Sequence, residues 1–89
     1  MRVELSEPAQ LDLDTVKAYF EITAPGALQG ILDDIAEVFV RLEVFPHSGT
    51  WLSDKEVRRS VSRRHRFVVY YTTQDDLIVI RAIFRYQNR

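Results

Sequence analysis

Eighty-nine residues, 46% of them hydrophobic and only six of them glycine or proline, suffice for one modest core over residues 1–89 and argue against wholesale disorder. The absence of cysteine excludes disulfides, thiolate metal sites and a thiol nucleophile, and it fits a reducing cytoplasm. The opening Met1-Arg2-Val3-Glu4-Leu5-Ser6 is not the apolar core of a signal peptide, and no apolar run approaches the roughly 20 residues that span a bilayer, so a soluble chain with no membrane partner is expected.

The net charge of −1 conceals an asymmetry. Residues 1–44 hold three basic and nine acidic side chains, whereas residues 45–89 hold nine basic and four acidic ones, and eight of those nine bases are arginine. Arginine binds phosphate and carboxylate in a bidentate fork, so the second half is expected to present a surface to an anionic partner.

Arg2–Ser6 alternates polar and apolar side chains, as a short half-exposed strand does. Ser6 then offers a helix cap and Pro8 a first-turn residue. Leu11, Leu13, Val16, Tyr19 and Phe20 are expected on one face of that helix, which Pro25 ends near Thr23-Ala24-Pro25-Gly26. A second helix starts there, capped by Thr23 or Ala24, and runs to Phe45 with Leu28, Ile31, Leu32, Ile35, Phe39 and Leu42 at three- and four-residue spacing. So short a link implies an antiparallel helical hairpin. Pro46 to about Lys55 reads as a loop pinned by Trp51 and Leu52. Strands are expected at Glu56–Ser62, His65–Thr73 and Leu77–Phe84, with Ser62-Arg63-Arg64 and Gln74-Asp75-Asp76 as turns. These three strands have connections too short for crossovers and should form an antiparallel meander, with the first strand at an edge or beside the last. The fold class is α+β in the order β-α-α-β-β-β.

Phe67-Val68-Val69-Tyr70-Tyr71 and Leu77-Ile78-Val79-Ile80 are apolar on both faces, yet Arg66 opens the first run and Arg81 interrupts the second. An unpaired ion buried in a central strand costs several kcal/mol, so these guanidinium groups either pair with carboxylates or reach an open surface.

The Asp12-Leu13-Asp14 helix start, the Leu42-Glu43-Val44-Phe45-Pro46 helix end, the run His65-Arg66-Phe67-Val68-Val69-Tyr70-Tyr71 and the segment Ile80-Arg81-Ala82-Ile83 occur in this β-α-α-β-β-β order. In that pattern the chain resembles the RelE/ParE superfamily of bacterial type II toxins, and it looks closer to the ParE-like members. The resemblance implies a growth-inhibiting toxin neutralised by a cognate antitoxin whose disordered C-terminal segment wraps it. A ParE-like toxin would inhibit DNA gyrase without hydrolysis of its own. A RelE-like one would be a metal-free, ribosome-dependent mRNA endonuclease, with Arg66, Arg81, Arg85 and Tyr86 as its catalytic set. A third reading is a non-toxic remnant that only binds its partner. Phe84 stands where ParE-like members often carry a histidine.

Cleavage of RNA without metal requires a base, an acid and positive charge on the transition state. Arg66 and Arg81, expected on neighbouring strands, would supply the charge, Arg85 would extend it, and Tyr86 would serve as acid or base. The alternative is that Arg66 and Arg81 merely pair at the sheet edge. Arg58-Arg59 and Arg63-Arg64 read as a surface for target or antitoxin, or else as a solvated hairpin. Leu28, Ile31 and Ile35 belong to an apolar stripe that seems wider than one face needs and is expected to dock a partner helix. The glycines match no phosphate loop, and Asp33-Asp34 and Asp75-Asp76 read as a helix surface and a turn, so no cofactor or metal is expected.

Overall fold

The structure, a computed structural model, describes residues 1–85. Its elements are β1 (Arg2–Leu5), α1 (Glu7–Thr23), α2 (Leu28–Val44), β2 (Thr50–Leu52), β3 (Val57–Val61), β4 (Phe67–Gln74) and β5 (Leu77–Arg85). The five strands form one sheet in the order β1-β5-β4-β3-β2. β2 to β5 make an antiparallel meander, and β1 lies parallel to β5 at the far edge, a pairing made available by the helical crossover between them. The α+β class and the element order agree with the sequence reading. One element is additional: Trp51 and Leu52, expected in a loop, belong to the three-residue edge strand β2. Three residues are too few for an alternation to show.

Ser6 caps α1 by accepting the Ala9 N–H at 3.3 Å, with Pro8 in the first turn. Pro25 ends the helix, but α2 does not start from Thr23 or Ala24. A 3-10 turn, Pro25–Ala27, intervenes, and α2 begins at Leu28 with no side-chain cap. Phe20 and Ala9 are the buried residues of α1, while Leu11 and Tyr19, expected on the inner face, are exposed. α2 buries Ile31, Ile35, Val38 and Leu42 against the sheet.

Inward positions of the sheet are filled by Phe67, Val69 and Tyr71 from β4 and by Ile78, Ile80 and Ile83 from β5, each no more than 2% exposed. Ile80 and Ile83 are three apart and would face opposite ways on a regular strand. A β-bulge reconciles them: Tyr71 pairs with Ile80 and Tyr70 with Ala82, so Arg81 has no partner in the register. Arg81 and Ala82 therefore both lie on the face away from the helices.

Charged helix side chains finish the sheet where strands run out of partners. β5 outruns β1, and the Ile83 N–H is taken by the Asp12 carboxylate at 3.0 Å. β3 outruns β2, and Arg41 donates to the Val61 carbonyl at 3.2 Å and to Ser60 Oγ at 3.0 Å. Asp34 accepts the Arg64 and His65 N–H groups at 3.1 and 2.8 Å. Unpaired backbone groups near a core are costly, and these three side chains satisfy them from the helix layer.

Candidate functional site

The arginines expected to cluster are dispersed by the backbone. Arg66 is not in a strand: it is the last residue of the β3–β4 turn, with φ 57°, in the left-handed region where a non-glycine residue is uncommon. Ser62 and Phe67 close that turn, with Ser62 N–H donating to the Phe67 carbonyl and Phe67 N–H donating to Ser62 Oγ, both at 2.8 Å. The strand starts only at Phe67, so the turn spans Arg63–Arg66 rather than Ser62–Arg64. Four or five residues of β4 separate Arg66 from the bulge at Arg81, about 15 Å along the strand. Arg66 and Arg81 consequently do not converge on one phosphate, contrary to the expectation that neighbouring strands would bring them together. Arg81 lies exposed on the open face and donates from Nε to Thr72 Oγ1 at 3.1 Å. Arg85 points to the opposite, helix-bearing face, with its guanidinium 5.5 Å from the centre of the Phe20 ring. Tyr86 lies outside the described residues.

Asp34 fixes the turn. Read from the sequence as helix surface, it is only 3% exposed. Burial pushes its carboxyl up, but hydrogen bonds from the Ser62 hydroxyl and from the His65 and Arg64 N–H groups outweigh that and hold it below the usual carboxylate range. The four side chains of the tip, Arg63, Arg64, His65 and Arg66, are exposed, and Arg63 approaches Glu37 at 3.6 Å.

Arg58 and Arg59 face opposite ways. Arg58 donates to the carbonyls of Gly49 and His47 at 2.9 and 3.3 Å and lies 5.8 Å from the centre of the Trp51 ring, so it staples the loop after α2. Gly49 is locked from the other side: its N–H donates to the buried Tyr71 hydroxyl at 2.9 Å, and a Cβ there would come within 2.6 Å of that oxygen. Arg59, paired with Tyr70 across the strands, stands on the open face.

There it borders a shallow cleft of about 620 Å³. Leu52, Val68, Tyr70 and Phe84 supply its apolar lining, and Lys55 and Arg59 its cations. Tyr70 and Phe84 meet edge to face with centroids 5.0 Å apart. Asp54 also lines it, but its carboxylate is engaged by Lys55 at 3.1 Å. An apolar floor beneath cations suits a partner with apolar side chains among carboxylates or phosphates. Lys55 and the Tyr70–Phe84 pair were not singled out from the sequence. The cleft forms only when the loop after β2 folds back beside β4 and β5, which no local spacing reveals.

The docking stripe is corrected as well. Ile31 and Ile35 are 2% and 1% exposed, and Leu28 packs partly buried against the same core. They are spent on the sheet because a five-stranded sheet is wide enough to cover them. The exposed apolar residues of the helix layer are others: Leu11, Tyr19 and Ile22 on α1, and Val40 and Val44 on α2.

A helical hairpin on a twisted sheet whose other face is cationic and aromatic defines a small α+β binding domain built for an anionic macromolecular partner. A family model, the ParE toxin of the type II toxin–antitoxin system parDE, matches residues 3–88, and the chain belongs to that family. A solved structure described as the chromosomal ParDE toxin–antitoxin system from P. aeruginosa has the same fold. It superposes with a TM-score of 0.81 at 21% identity, covering 98% of this chain and 97% of that one. No curated protein sequence matches significantly.

Proposed function

We propose that this ParE-family toxin is neutralised by a cognate antitoxin and acts on DNA gyrase through the open face of its sheet. The observation that carries the reading is the family match over residues 3–88, and the geometry supports it over hydrolysis. Cleavage of RNA needs cationic groups gathered around one phosphorane-like centre. Here Arg66 and Arg81 stand about 15 Å apart along the sheet, and Arg85 is on the other face. What the open face does offer is a broad surface of Arg59, Lys55, Tyr70 and Phe84, suited to binding a protein–DNA target.

The test is induction of the chain in cells without antitoxin, followed by plasmid topology, DNA synthesis and protein synthesis. Inhibition of supercoiling by purified gyrase, with relief by the antitoxin, is the expected outcome. Arrest of translation with normal supercoiling and replication would assign the target to the ribosome and mRNA instead. Unimpaired growth on induction would leave a partner-binding remnant. Within the proposed site, Arg59→Glu with Lys55→Glu should reduce gyrase inhibition at least tenfold while the fold is kept.

A further inference from the structure

Arg85 is the feature that the reading above leaves without a role. Its inward neighbours on β5, Ile78, Ile80 and Ile83, are buried, and Arg85 takes the next inward position. The strand there has passed the end of the core, and the guanidinium rests on the Phe20 ring. Thr15, Val16, Tyr19 and Phe20 of α1 join it to line a notch of about 320 Å³. Tyr19 and Phe20 meet edge to face with centroids 4.9 Å apart. Beyond the notch the outer face of α1 continues as exposed apolar surface, with Leu11, Tyr19 and Ile22 each more than half exposed. The spacing of Leu11, Thr15, Tyr19 and Ile22 places them along one helical stripe.

Among the described residues no carboxylate forms an ion pair with Arg85. Asp12 lies on this side of β5, but its carboxylate is committed to the Ile83 N–H. An arginine stacked on an aromatic ring keeps its fork of N–H donors free at the edge, oriented for a bidentate acceptor. An apolar stripe ending in such a donor is complementary to a segment that carries large apolar side chains and a carboxylate.

We propose that the α1–β5 notch is a docking site for the antitoxin, in which an apolar side chain enters beside Phe20 and an adjacent Asp or Glu pairs with Arg85. This inference rests on the antitoxin reading of the preceding section. It adds which surface is used and separates it from the open sheet face, so that antitoxin and target would contact opposite sides of the sheet.

The test measures affinity of the full chain for its cognate antitoxin by calorimetry, at low and at physiological salt. Arg85→Gln removes the ion pair, and Thr15→Trp fills the notch without touching the charge. Arg2→Gln, an exposed change of equal charge on β1, is the control. Arg85→Gln should weaken binding about tenfold and flatten its salt dependence, Thr15→Trp should weaken it about a hundredfold, and Arg2→Gln should change it less than threefold. Circular dichroism and thermal melts check that each variant is folded. Wild-type affinity in folded Arg85→Gln and Thr15→Trp would overturn the notch while leaving an antitoxin in place. Equal loss in Arg2→Gln and Arg85→Gln would reduce the effect to net charge and also overturn it. Failure of the unmodified chain to bind the antitoxin would overturn both readings together.

Discussion

Asp34 should be the most sensitive polar residue of the helix layer, because one carboxylate holds the turn that aims the basic tip. Replacement by alanine removes the acceptor of the Arg64 and His65 N–H groups and of the Ser62 hydroxyl. Hydrogen bonds to a charged group contribute about 1.5–3 kcal/mol each. Arg64 and His65 are exposed, so their N–H groups recover part of that from water, whereas Ser62 is buried and does not. A loss of about 3 kcal/mol follows for Asp34→Ala, and about 2 kcal/mol for Asp34→Asn, which keeps one acceptor oxygen. In a domain of this size that lowers Tm by roughly 10–20 °C. The effect is linked to pH. The folded carboxyl titrates below its unfolded value, near 3.9, so its contribution is complete above that pH and is lost as pH falls through the folded value. Urea denaturation from pH 7 to pH 2 should show wild type and Asp34→Asn separated by a constant gap at neutral pH that closes in acid. A gap below about 0.5 kcal/mol at pH 7, or one that persists unchanged to pH 2, would refute the reasoning.

Other consequences can be checked with the same denaturation assay. Gly49→Ala forces a methyl group against the Tyr71 hydroxyl and the Arg59 carbonyl in a region with no room to yield, and should cost about 2–3 kcal/mol. Tyr71→Phe removes only the hydrogen bond to the Gly49 N–H, a loss of about 1 kcal/mol, and makes space that should soften the alanine substitution in the double variant. Deleting Arg81 removes the bulge yet leaves Ile80 and Ile83 both inward, so the deletion should fold. Deleting Val79 instead turns Ile78 outward and should prevent folding, as judged by circular dichroism and solubility. Arg58→Ala frees the loop carbonyls and uncovers the single tryptophan, so Trp51 fluorescence should shift with a stability loss of about 1–2 kcal/mol.

The local signals were the readable ones. Ser6 and Pro8, Pro25, the alternation of residues 2–6 and the apolar runs at 67–71 and 77–80 set out the order β-α-α-β-β-β, because caps, prolines and periodicity act within a few residues of themselves. The motifs along that order also sufficed for the ParE-like resemblance, which the match over residues 3–88 bears out. Opposite charge in the two halves was legible from composition. Part of it is consumed inside the fold, where Asp12, Asp34 and Arg41 cap backbone groups of the sheet.

What a side chain faces was decided by tertiary structure. Arg81 reads as an ion inside a central strand. It costs little in place because the bulge gives it no inward position, and only the pairing of Tyr70 with Ala82 and Tyr71 with Ile80 reveals that. Arg66 appears to open a strand but sits at a left-handed corner held by Asp34, thirty-two residues earlier in the chain. Ile31 and Ile35 look surplus on a helical wheel, and the width of a sheet assembled from distant strands is what buries them. Periodicity carries one face of one element. Which face is covered, and by what, depends on partners brought together by the whole chain.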